Sequence, residues 1–129
     1  MAQTPKTNDA VRASSDPVVV EKLRAIVSLR QSMAESNERA VKSGKGEGDG
    51  RYEIALAEAR LQLACELGQR EEKLTALKDI VKVQQRRLQE AEKRVATGTA
   101  SPEDVGTIRV AVLEAEVRLL RAQDGSKTP

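Results

Sequence analysis

The chain contains no histidine, phenylalanine or tryptophan, and only one tyrosine (Tyr52) and one cysteine (Cys65). Without histidine it lacks the commonest general base and the commonest metal ligand. A single cysteine excludes an intramolecular disulfide and leaves the redox compartment open. Cys65 stands in Leu63-Ala64-Cys65-Glu66-Leu67 with no imidazole to activate it, and reads as a small apolar residue at a helix contact. Aromatics, at 1% of the chain, cannot supply the buried area they usually bring to a compact core. Long apolar runs are missing too: no segment approaches the ~18–20 residues that span a bilayer. Met1-Ala2-Gln3-Thr4-Pro5-Lys6 lacks the apolar stretch of a signal peptide. As written the chain reads as cytoplasmic; the alternative is a periplasmic or exported protein whose signal has been removed.

Charge of one sign is also lacking. The 22 basic and 20 acidic side chains leave a formal charge of +2, and Gln84-Gln85-Arg86-Arg87 is followed at once by Glu90 and Glu92. Nucleic-acid binding requires a one-sided basic surface, so this composition counts against it. A membrane-surface helix would need a basic face opposite a bulky apolar one, which the Ala-rich, mixed-charge segments do not provide. Glu71-Glu72 and Glu103-Asp104 read as solvated helix faces and dipole compensation, without the Glu-x-x-His elements of a di-metal bundle. Gly44-Lys45-Gly46-Glu47-Gly48-Asp49-Gly50 lacks the Gly-Lys-Ser/Thr of a phosphate loop and follows a helical pattern instead of a strand. No residue is therefore assigned a catalytic, cofactor-binding or metal-binding role.

What the chain does contain is Ala, Leu, Val and Ile at helical spacing within long charged segments, the composition of coiled coils and long helices. Asp16-Pro17 predicts a helix start, with a side-chain acceptor for orphan amides followed by a residue tolerated at the first helical position. That helix runs to about Ser43 and ends at four glycines in seven residues, which a helix interior does not accommodate. A second pattern extends from about Gly50 through Leu67, and a third from there to about Thr97. Gly68 separates them, but one glycine inside a helix costs only about 1 kcal/mol and no capping residue follows. The expectation is one continuous central helix of roughly 46 residues, about 70 Å long. Gly98 then ends it, and Ser101-Pro102-Glu103-Asp104 starts a last helix reaching about Ala122.

The apolar seams are regular. Leu74, Leu77, Val81, Gln84, Leu88, Ala91 and Val95 alternate steps of three and four, with Gln84 as the one polar member. The last helix carries two seams, one through Val105, Ile108, Val112, Ala115, Leu119 and Ala122, the other through Val110, Leu113, Val117 and Leu120. The second segment has Ile54, Ala57, Leu61 and Ala64 on one seam and Leu56, Leu63 and Leu67 on another. A helix with two seams requires two neighbours. The candidate interface is accordingly Val110, Leu113, Val117, Leu120, Leu56, Leu63, Leu67 and Gln84.

Laid on itself at an offset of 54, the chain places Ile26-Val27 on Ile80-Val81, Leu29 on Val83, Gln31 on Gln85, Glu38 on Glu92, Val41 on Val95 and Gly44 on Gly98. After a two-residue gap, Glu58-Ala59 falls on Glu114-Ala115, Leu61 on Val117 and Leu63 on Leu119. Each half reads as a helical hairpin: a long charged helix, a glycine turn and an apolar-rich return. The predicted fold is all-α, with duplicated antiparallel coiled-coil hairpins (about 22–64 and 76–120) within a domain at 17–123. Tails are expected at 1–16 and 124–129; a four-helix bundle is the alternative architecture.

The run Arg94-Val95-Ala96-Thr97-Gly98-Thr99-Ala100-Ser101-Pro102-Glu103-Asp104-Val105, followed by Ala111, Leu113, Glu114-Ala115-Glu116 and Leu119, resembles the hairpin repeat of TolC-family outer-membrane efflux proteins. The resemblance spans residues 74–122 and, more loosely, 22–64. The alternating strands of that family's barrel are missing. What the resemblance implies is a similar hairpin in an envelope-associated helical protein, and no channel. The functional expectation is a non-enzymatic structural or adaptor module that pairs with itself, most simply as a two-fold dimer, or with another helical protein. The alternative is a regulatory binding protein that presents a groove to a peptide or a nucleic-acid machine.

Overall fold

The structure, a computed structural model, describes residues 15–46 and 48–124. The predicted tails fall on residues 1–14 and 125–129, outside that range, together with Ser15, Asp16 and Asp124, which lie within it. The described residues form four helices and no strand: α1 (Pro17–Lys42), α2 (Arg51–Leu67), α3 (Arg70–Ala96) and α4 (Pro102–Asp124).

Two of the four helix starts, those of α1 and α4, follow side-chain capping chemistry. The Asp16 carboxylate accepts a hydrogen bond from the Val18 amide at 2.8 Å, with Pro17 opening α1. At α4 the bonding is reciprocal. The Asp104 amide donates to Ser101 Oγ at 3.2 Å and the Ser101 amide donates to Asp104 Oδ2 at 3.3 Å, so two orphan donors are satisfied by one pair of side chains.

The expected continuous central helix is overturned. Gly68 has φ +67° and ψ +29°, left-handed backbone, and its neighbour's amide (Gln69) donates back to the Ala64 carbonyl at 2.9 Å. The same pattern closes α1 at Gly44, where the Lys45 amide reaches the Ala40 carbonyl at 2.7 Å, and α3 at Gly98, where the Thr99 amide reaches the Arg94 carbonyl at 2.7 Å. The chain needs no capping side chain to restart after Gly68, because α3 opens with Glu71 and Glu72 in its first turn, and these offset the dipole.

Successive helices run antiparallel, and each packs along its neighbours in sequence. Ser15 Oγ donates to the Glu66 carbonyl at 2.8 Å, Arg86 of α3 pairs with Glu53 of α2, and Arg109 of α4 pairs with Glu92 of α3 at 3.2 Å. Arg70, first in α3, donates to the Ala122 and Gln123 carbonyls at 3.2 Å each, placing a cation at the negative end of α4. The core lies where α2, α3 and α4 meet: Ala57 and Leu61, then Ala76, Leu77, Ile80 and Val81, then Ala115. Alanine fills much of it, so the helices approach closely without any aromatic. No polar side chain is buried among the described residues.

Replacing Gly68 with Ala should lower stability by about 1–2 kcal/mol, because an L-residue is strained in the left-handed conformation. Urea unfolding measures this; a gain in stability would restore the continuous helix.

Candidate interaction surface

α4 carries two apolar stripes with opposite fates. Val112 and Ala115 are buried, and Leu119 packs against the core beside them. One step round the helix, Val110, Leu113, Val117 and Leu120 are 54%, 55%, 43% and 58% exposed. Their spacing of three, four and three puts them on one face, and no element of the described chain covers it.

A groove of about 650 Å³ runs beside this stripe, bounded by Ile80 and Gln84 of α3 and by Glu58 of α2. At its edge Arg118 forms a two-pronged pair with Glu58, Nη1 to Oε2 at 2.9 Å and Nη2 to Oε1 at 3.0 Å. The hydrogen bond to Glu58 raises the Arg118 guanidinium further above its ordinary range, outweighing the opposing effect of burial. This pair ties α4 to α2 across α3.

The other sequence candidates are placed differently. Leu56, Leu63 and Leu67 are half-buried, because α2 is an inner helix with α1 on one side and α3 on the other. They belong to internal packing more than to a free surface. Gln84 is half-buried at the groove, its Oε1 accepting from Arg87 Nη1 at 2.9 Å. Cys65 is exposed; the face of α2 that meets α3 is taken by Ala57, Leu61 and Ala64.

A second exposed stripe was not among the sequence candidates. On α1, Val18, Val19, Ile26, Leu29 and Met33 are all exposed, while Leu23 is buried and Val20 and Val27 are half-buried. The signal was present in the seven-residue spacing of Val19, Ile26 and Met33, which runs beside the Val20, Leu23, Val27 seam. Among the described residues no group of three or more His, Cys, Asp or Glu could hold a metal ion, and no helix is long and apolar enough to cross a membrane.

Two outcomes follow from the groove. A double-mutant cycle on Glu58 and Arg118 should give a coupling of about 1 kcal/mol or less, shrinking in high salt, since both side chains are about two-fifths exposed and solvent screens such pairs. Gln84→Leu should raise the melting temperature, with a gain of about 1 kcal/mol from added apolar burial, measured by calorimetry. An unchanged melting temperature would mean that the side chain stays in water. Comparison with protein-family models, with curated proteins and with solved structures finds no match to this chain.

Proposed function

We propose that the protein is a non-enzymatic structural or adaptor module that works by helix pairing, chiefly with copies of itself. The observation that carries this reading is the exposed stripe Val110, Leu113, Val117 and Leu120 on α4. Burying one such side chain is worth about 1.5–3 kcal/mol, and contiguous apolar patches on small proteins usually mark contact surfaces. The heptad spacing of the stripe matches coiled-coil pairing. The absence of histidine supports a role without acid–base chemistry. The resemblance of residues 74–122 to TolC-family hairpins is the support for an envelope-associated setting.

Light scattering or sedimentation of the unmodified protein should show association at tens of micromolar. Replacing Leu113 and Leu120 together with Gln should abolish it while the helical circular-dichroism signal is retained, because both residues are exposed within one chain. A clean monomer would remove self-association and favour an adaptor that docks on another helical protein.

A further inference from the structure

We infer, building on the self-association reading, that the α4 stripe of one copy receives the α1 stripe of another, head to tail, in the arrangement α2 and α3 adopt within the chain. Within the chain, α2 meets α3 through Ala57, Leu61 and Ala64 on one side and Ala76, Ile80 and Val83 on the other, all buried. Fifty-six positions after Ile54, Ala57, Leu61 and Ala64 stand Val110, Leu113, Val117 and Leu120. Fifty-four positions before Ile80, Val83 and Arg87 stand Ile26, Leu29 and Met33. Ile80 and Val83 are 2% and 7% exposed, whereas Ile26 and Leu29 are 41% and 64% exposed. The two outer helices thus present the two halves of one kind of contact, each without its counterpart. They cannot close on each other within the chain, because helices pack in sequence order with α2 and α3 between them.

The glycines give an independent observation. A Cβ on Gly50 would lie 2.7 Å from Val83 Cγ1, so α3 seats a valine against bare backbone there. Fifty-six positions on is Gly106, one turn before Val110 on the exposed stripe. Gly50 caps α2, while Gly106 lies within α4, where glycine disfavours helix, and nothing lies within 4 Å of its Cβ position. No group among the described residues uses that space. Leu29, the counterpart of Val83, would occupy it in the proposed contact.

Charge agrees with the pairing. Lys22 lies on the α1 stripe one turn before Ile26, and Glu114 flanks the α4 stripe between Val110 and Val117. The register set by Gly50 on Val83 and by Glu53 on Arg86 brings Glu114 opposite residues 21–27, where Lys22 and Arg24 outnumber the one acid, Glu21. A two-fold pairing of the α4 stripe with itself would leave the α1 stripe in water, whereas the head-to-tail contact covers both. Such a contact is heterologous, so it continues past the dimer until a ring closes or a filament grows.

The test uses two double variants of the full chain: Ile26→Lys with Leu29→Lys, which disables α1, and Leu113→Lys with Leu120→Lys, which disables α4. All four positions are exposed, and circular dichroism verifies that each variant remains helical. Sedimentation should show the unmodified chain growing beyond a dimer, each variant alone as a monomer, and their mixture as a one-to-one heterodimer that grows no further. Gly106→Gln should weaken association about tenfold or more without lowering the melting temperature. If the α1 variant associates as well as the unmodified chain while the α4 variant does not, the contact is α4 on α4. Head-to-tail pairing then fails while self-association stands. Failure of the mixed variants to form a heterodimer overturns head-to-tail pairing in the same way. A monomeric unmodified chain overturns both.

Discussion

Ile80 of α3 lies almost fully enclosed where Ala57 and Leu61 of α2 and Ala115 of α4 converge, and the remaining packing depends on that convergence. With no Phe or Trp to bridge wide gaps, the helices cohere only by coming close, and alanine at the crossing points permits it. Dispersion and apolar burial both fall steeply with separation, so a bulkier residue at Ala57, Ala76 or Ala115 would push α2 and α4 away from α3. The same closeness explains the tight link Gly68-Gln69 between α2 and α3: a longer connection would not be needed, and a continuous helix would carry Ala57 far from Ile80.

Enclosing α3 has a consequence for the outer helices. α2 and α3 use both of their apolar faces internally, while α1 and α4 have one neighbour each along their length. Their second faces stay outside: Ile26 and Leu29 at one side, Leu113 and Leu120 at the other. The Glu58–Arg118 pair adds little stability at its exposure; burial of Val112 and Ala115 on the core side of α4 is what leaves Leu113 facing water. The surface available for contact is therefore a product of serial packing, in which the first and last helices lack the neighbour that the inner ones have.

By itself the sequence determined that the chain is helical, and where most helices begin and end. Asp16-Pro17 and Ser101-Pro102 act through local hydrogen bonds that any context preserves, as do Gly44 and Gly98. The heptad spacing likewise determined which residues share a face, since that follows from helix geometry alone. Only the tertiary structure decided the conformation at Gly68. A glycine inside a helix and a left-handed glycine after one differ by an amount that packing of α2 on α3 easily outweighs, so propensity could not choose between them. It also decided which of two equally apolar faces meets a neighbour. Val110, Leu113, Val117 and Leu120 form as regular a seam as Val112, Ala115 and Leu119, and periodicity carries no information about what lies beyond the helix; burial of one and exposure of the other arise because α3 occupies a single side of α4.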